Sequence, residues 1–526
     1  MGYNILNVVL NLSGTMEKAL AKRSDYIKIK SKFFINRLVT YFSFLFIPLW
    51  MQKTVELNLF IQTIIILLYL MFMVGQWYLM GKEIDHRLKI YYRANSSMDR
   101  IVYRLLTGNI FLILIFNLFS TLPLLIAEVL FWVFFGSVGL FYSWPTRGKI
   151  IEESMAGQFG EFRFLDSFER TVLLLIVILF MISLPEIPLF QNIEALKLYF
   201  DPNESIHNLF WNFLNINYIP FNEYPKLFNL AWSLHIYFYG LGTFLLAFYC
   251  LLRFFFSRRL AILGVFAVIS SWAYSKTLGY EFIASIKSTF PLISVWAYLW
   301  CSKSATYRSG LMMGLICFLG TMIDVSFALL FPVYITGILL ISFKSKTQWY
   351  KLQWLKYTLL GTFLICSLIF THSESNVVYN GFNFMNVYGE FADMIYRKAF
   401  FTVSFVGVLM FIAYVLKIDR TRIAMVTFDG QKVAELSYAI ISLLFFSIFL
   451  NTIFINNFTA MWILAFFSLI PLEWIFQSMS RLRSKRNIIY TLYILVCLLD
   501  SHVEGRIRII GKMFLDDEVF KYINQM

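Results

Sequence analysis

Charge is what this chain has least of. Of 526 residues only 14% are Asp, Glu, Lys or Arg, against about 25% in an ordinary soluble domain. The 59% hydrophobic content and a mean hydropathy of +0.68 exclude a water-soluble fold for most of its length. Cysteine is also scarce. The five present (Cys250, Cys301, Cys317, Cys366, Cys497) all fall in apolar stretches and form no Cys-x-x-Cys pair, which argues against structural disulfides and a thiolate metal centre. Only five histidines occur. His207, His235, His372 and His502 are expected on one face of the membrane, but no ligand spacing links them, so a histidine metal site is not expected. Phosphate-binding loops, dinucleotide fingerprints and serine nucleophile elbows are absent.

What the chain does have is apolar runs near the ~20 residues that cross a bilayer. About fifteen are expected, at roughly 33–51, 56–79, 104–121, 123–143, 171–190, 229–252, 260–275, 281–300, 309–323, 326–343, 354–371, 399–416, 434–454, 459–478 and 487–500. The fold class expected is all-α, a polytopic integral membrane protein. Residues 1–32 are polar and Lys-rich (Lys18, Lys22, Arg23, Lys28, Lys30, Lys32) with no small-residue cleavage site after the first apolar run, and read as a retained cytoplasmic arm. Leu6 stands where a myristoylation signal needs Ser or Thr.

With the N-terminus inside, every second loop should be basic. That pattern holds at Lys82 to Arg100, Arg147 to Arg170, Arg253 to Arg259, Lys303 to Arg308, Lys344 to Lys351, Lys417 to Arg422 and Arg481 to Arg486. The formal charge of +14 is thereby spread over short loops, a mark of membrane topology and not of a nucleic-acid footprint. The opposite, periplasmic face receives the loops 191–228 and 372–398 and the tail 501–526. Those stretches hold Glu194, Asp201, Glu204, Glu223, Glu374, Glu390, Asp393, Glu504, Asp516, Asp517 and Glu518, with Asp500 at the tail's start and Asp324 near the same face. The long loop 144–170 divides a four-helix module, 33–150, from a larger one, 151–500. The tail 501–526 is amphipathic enough to lie on the outer leaflet or to cap a cavity.

Residues 165–345 carry a recognisable order of motifs. A helix at 171–190 delivers the chain to a loop holding Gln-Asn-Ile-Glu-Ala (191–195). About thirty residues on stands Asn-Glu-Tyr-Pro-Lys-Leu-Phe (222–228), running to Tyr-Phe-Tyr-Gly (237–240). There follow a basic turn, Leu-Leu-Arg-Phe-Phe-Phe-Ser-Arg-Arg-Leu-Ala (251–261), and a helix Gly-Leu-Ile-Cys-Phe-Leu-Gly-Thr-Met-Ile-Asp (314–324). This order and spacing resemble the GT-C glycosyltransferases, the polytopic class that includes lipid A aminoarabinose transferases and bacterial relatives of protein O-mannosyltransferases.

The resemblance implies an enzyme that takes a sugar from a polyprenyl-phosphate donor, within a lipid-filled groove, and delivers it to an envelope lipid or glycan on the periplasmic face of a bacterial inner membrane. A carboxylate at the water interface would act as general base, or would hold a divalent cation against the departing phosphate. Glu194 and Asp201 are the expected catalytic acids; Glu204, Glu223, Lys226, Lys276, Asp324 and Arg397 are the expected substrate contacts, with Lys287 and Lys398 as further outer-face cations. Two departures stand out: Ile193-Glu194 occupies the place of the family's acidic pair, and Asp324 that of its lysine. Glu194 also reads as a solvated loop residue, and Asp201 and Glu204 as the cap and first turn of a helix.

The first module weakly resembles half of a UbiA-type prenyltransferase. Gly81-Lys82-Glu83-Ile84-Asp85 stands where that family carries an Asp-rich, Mg²⁺-holding cluster, and Tyr142-Ser143-Trp144-Pro145 with Arg147 and Lys149 stands at its later motif. With Lys82 beside only two acids, a lipid-binding scaffold is expected here. Two rival functions stay open: a transporter or lipid flippase, which needs polar residues lining a path at mid-membrane depth, and a scaffold that kept the helices without the chemistry.

Overall fold

The computed structural model describes residues 59–88, 97–143, 164–182, 213, 215–221, 225–271, 292–299, 313–314, 316, 399–415, 457–478 and 485–499. Among these, every regular element is helical and no strand occurs. The chain is all-α there. The helices are α1 (Leu59–Leu88), α2 (Ser97–Ser120), α3 (Leu124–Ser143), α4 (Ser167–Ile182), α5 (Pro225–Leu234), α6 (Gly242–Arg253), α7 (Arg258–Ser270), α8 (Ala399–Val415), α9 (Asn457–Ser478) and α10 (Arg486–Leu499). A π-helical turn, His235–Leu241, joins α5 to α6 without a break. Residues 292–299 are also helical.

These elements fall on the apolar runs at 56–79, 104–121, 123–143, 171–190, 229–252, 260–275, 281–300, 399–416, 459–478 and 487–500. The runs at 33–51, 326–343, 354–371 and 434–454, and all of 309–323 except 313, 314 and 316, lie outside the described residues. The largest differences are at the α1–α2 hairpin, where α1 continues past 79 to Leu88 and α2 starts at Ser97 instead of 104. Lys82, Asp85, Asp99 and Arg104 lower the hydropathy there, yet all four are buried, and the helices run on because the charges find partners inside the bundle. Among the described residues two helices are long and apolar enough to cross a membrane, Gln62–Asp85 and Met98–Ser120.

Local chemistry fixes the ends. Two of the last carbonyls of α2 accept from side chains: Ser120 Oγ donates to Asn117 O at 2.8 Å and Thr121 Oγ1 to Leu118 O at 2.8 Å. Those groups would otherwise have no donor beyond the helix. Pro123 then opens α3, where a missing N–H costs nothing. A reciprocal capping box starts α4: the Glu169 amide donates to Asp166 Oδ1 at 2.7 Å and the Asp166 amide to Glu169 Oε2 at 3.0 Å.

Glycines set the closest helix contacts. A Cβ on Gly81 would lie 1.7 Å from the Arg104 carbonyl oxygen, and one on Gly108 1.9 Å from that of Trp77, so α1 and α2 touch backbone to backbone. In α9, Pro471 has no amide to offer the Phe467 carbonyl one turn back. Gly407 of α8 lies against that same carbonyl, where a Cβ would come within 1.9 Å of the oxygen. The freed carbonyl and the bare glycine thus meet at the α8–α9 seam, which Ser468 and Tyr493 extend to α10 through a 2.6 Å contact between their hydroxyls.

The core is aromatic, with Trp77, Trp232, Trp296, Trp462, Tyr69, Tyr103 and Tyr218 fully buried. The outside is apolar as well. On α4, Val172, Ile176 and Leu179 are buried while Leu174, Val177, Ile178 and Met181 are exposed; α3 exposes Leu124, Leu125, Ile126, Val129 and Val133; α8 and α10 each expose a further row. A helix on the surface of a water-soluble protein turns a polar face outward.

Candidate functional site

Of the residues expected to do chemistry, Glu194, Asp201, Glu204, Glu223, Lys276, Asp324 and Arg397 lie outside the described residues, and Lys226 falls in the first turn of α5. What the structure does describe is the stretch that follows Glu223. Its aromatic run, Tyr237-Phe-Tyr-Gly, makes up most of the π-turn. Turns of this kind insert one residue into an α-helix and are frequent at functional sites.

A buried polar and aromatic cluster surrounds that turn. The Tyr218 hydroxyl lies 2.8 Å from Nδ1 of His235, and Asn109 Nδ2 of α2 donates to the Tyr239 hydroxyl at 2.8 Å. Tyr69 of α1 donates from its hydroxyl to the Asn217 carbonyl at 2.6 Å. Trp77 sets its ring edge-on to both His235, at 5.3 Å between centroids, and Tyr239, at 4.7 Å. On the far side Phe180 of α4 meets Phe238 edge-on at 5.5 Å. Segments far apart in sequence, the N-terminal hairpin and residues 213–241, therefore share one core.

His235 is only 3% exposed, so this histidine is a core residue and not one of a wet face. Asn109, Tyr218, His235 and Tyr239 are not among the residues that the sequence marks out for chemistry. The signal available was an Asn and a His inside runs otherwise apolar, each needing a partner once removed from water. Chemically the cluster is neutral: hydroxyls, an amide and an imidazole, arranged to hold helices together or to meet other neutral hydrogen-bonding groups.

Two charged groups sit apart from it. Arg104 donates from Nε to Asp85 Oδ2 at 3.0 Å and from Nη1 to the Tyr78 hydroxyl at 2.9 Å. The Asp85 carboxylate, the second acid of the UbiA-like stretch, is thus engaged by a guanidinium. At the start of α4, Glu169 is held by Arg258 of α7 through two bonds, Nε to Oε1 at 2.9 Å and Nη2 to Oε2 at 2.7 Å, while Arg259 pairs with Asp166. The fork geometry is the strong form of an Arg–carboxylate pair. Among the described residues no group of three His, Cys, Asp or Glu is placed to hold a metal ion.

No protein-family model, no curated protein and no solved structure matches the chain.

Proposed function

We propose that the chain is a polytopic inner-membrane protein of about fifteen spans, N-terminus cytoplasmic and C-terminus periplasmic, and that its module 151–500 is a GT-C-like glycosyltransferase. It moves a sugar from a polyprenyl-phosphate donor to an envelope lipid or glycan on the periplasmic side. Glu194 and Asp201 supply the carboxylate chemistry; Glu204, Glu223, Lys226, Lys276, Asp324 and Arg397 meet donor and acceptor. The module 33–150 serves as its lipid-contacting scaffold.

The membrane part of this reading is supported by helices that are apolar on both faces. Only 39% of the span window in α1 is buried, whereas a core helix of a soluble protein is buried nearly all round. The topology is supported by which ends meet. Asp166 and Glu169 contact Arg258 and Arg259, Phe168 contacts Tyr490, and Trp296 Nε1 donates to Asp99 at 3.2 Å. Each contact joins segment ends that the charge pattern assigns to the cytoplasmic side.

The transferase part is carried by one observation: the motif order from Gln191 to Asp324 surrounds a π-turn built from its own aromatic run and tied by hydrogen bonds to α2 and to residue 218. A second reading, transport or flipping of a lipid, is favoured by Asn109 and His235, polar groups well inside apolar segments. Mass spectrometry of envelope glycolipids tests the choice, using cells with no copy, the native copy, or a Glu194→Gln/Asp201→Asn copy. Transferase activity predicts that one sugar disappears from an envelope component in both altered strains while the variant still reaches the membrane. Transport predicts that the double variant behaves as native.

A further inference from the structure

Four polar side-chain atoms in the core shared by α1, α2 and residues 213–241 are buried without a hydrogen-bond partner: Gln76 Oε1, Trp77 Nε1, Asn109 Oδ1 and Asn217 Oδ1, on residues 7%, 0%, 3% and 0% exposed. They belong to one cluster. Trp77 packs edge-on against both His235 and Tyr239, Asn109 bonds Tyr239, and Asn217 precedes the Tyr218 that meets His235. Gln76 is the chain neighbour of Trp77 and stands two helical turns from Tyr69 on the same face of α1. A buried polar group left unpaired carries its full desolvation penalty, and such groups are few in folded proteins and mark strain, a function, or a bound water or ion. Room lies beside these atoms. Tyr239 is partly exposed, and Gly240 and Gly242, which follow it by one residue and by three, have nothing within 4 Å of where a Cβ would stand.

The chemistry of the four atoms selects the ligand. Three are acceptors and one is a donor. A cation would be faced by the Trp77 N–H, an anion would meet three oxygens, and an apolar group would satisfy none of them. A hydroxyl both donates and accepts, and a buried water makes about three hydrogen bonds to groups of this kind. We propose that the cluster is a binding site for neutral hydroxyl groups, of water or of an uncharged polyol, entered beside Tyr239. Gln76, Asn109 and Asn217 accept from the occupant and the Trp77 indole donates to it. The site is defined by hydrogen bonding alone and stands whether the module 151–500 transfers or transports.

X-ray radiolysis of the purified full-length protein, read by mass spectrometry of oxidised side chains, tests the site, because water held against a buried side chain oxidises it in place. Trp296 is the control, since it too is 0% exposed but has its indole N–H bonded to Asp99. Trp77 is expected to oxidise at least tenfold faster than Trp296. Gln76→Met removes one acceptor from a side chain of similar length, and is expected to slow the oxidation of Trp77 at least threefold and to lower the melting temperature. Equal rates at Trp77 and Trp296, or a Gln76→Met protein that melts higher with its labelling unchanged, overturn the site, because the core is then dry. Repeating the exposure in glycerol separates the two sources: protection of Trp77 relative to Trp296 marks a polyol hydroxyl, and an unchanged ratio marks water. Should Gln76→Met fail to accumulate, the comparison of the two tryptophans in the native protein decides alone.

Discussion

Arg104 of α2 and Asp85 of α1 form an ion pair at 3.0 Å with both side chains more than nine-tenths buried. Neither charge has water as an alternative, so each depends on the other. Removing one partner of such a pair typically costs about 3–5 kcal/mol, whereas replacing both by apolar groups is often neutral. Asp85→Asn is therefore expected to lower the thermal midpoint of the detergent-solubilised protein sharply, and Asp85→Leu combined with Arg104→Met to recover most of the loss. Equal losses in the single and double variants would remove the pair from the account.

The acid–arginine clasp between α4 and α7 offers an internal contrast of magnitudes. Glu169 is 2% exposed and held in a fork, while Asp166 and Arg259 are each about one-third exposed. Exposed pairs contribute about 0–1 kcal/mol. Glu169→Gln should accordingly destabilise by several-fold more than Asp166→Asn in the same melting assay, since asparagine keeps the N-cap that Asp166 gives α4.

Gly108 and Gly407 are predicted to tolerate no side chain. Alanine at either place puts a methyl group onto a neighbouring backbone carbonyl, at 1.9 Å in both cases. Forcing extra volume into a packed contact costs about 1–3 kcal/mol. Gly75→Ala is the control, since nothing lies within 4 Å of its Cβ, and should be neutral or mildly stabilising. The check is the fraction of monodisperse protein recovered after heating.

Topology is open to a direct measurement. Alkaline phosphatase fusions after residues 150 and 420 should be inactive, and those after 200, 380 and 526 active, if the positive-inside pattern governs insertion. Activity at 150 or its loss at 380 would displace the outer-face assignment of Glu194 and Asp201.

Much of the fold could be read in the sequence because length and apolarity are enough to specify a membrane helix; α3, α8 and α9 begin and end within two residues of their apolar runs. The hairpin of α1 and α2 was harder. Asp85 looks like a loop residue and Arg104 like the edge of an apolar run until each is known to stand opposite the other, and that pairing belongs to tertiary structure. The π-turn was illegible for another reason: Tyr237-Phe-Tyr-Gly has the same apolar character whether it winds as α or as π, and only the partners of His235 and Tyr239 distinguish the two. Those partners, Tyr218 and Asn109, come from a connecting segment and from the other module. The expected acids from Glu194 to Glu223 rest on a motif order, which indicates chemistry without geometry.

The transferase reading is most directly tested by reconstituting the purified protein in proteoliposomes with a panel of synthetic polyprenyl-phosphate sugars as donors and an envelope lipid and glycan extract as acceptor, and measuring release of free polyprenyl phosphate together with transfer of the sugar to the extract. The account predicts release from at least one donor with the native protein, and a loss of at least a hundredfold with Glu194→Gln/Asp201→Asn at unchanged melting temperature. Sugar donors that cross the bilayer intact, with no polyprenyl phosphate released by either protein, would contradict it.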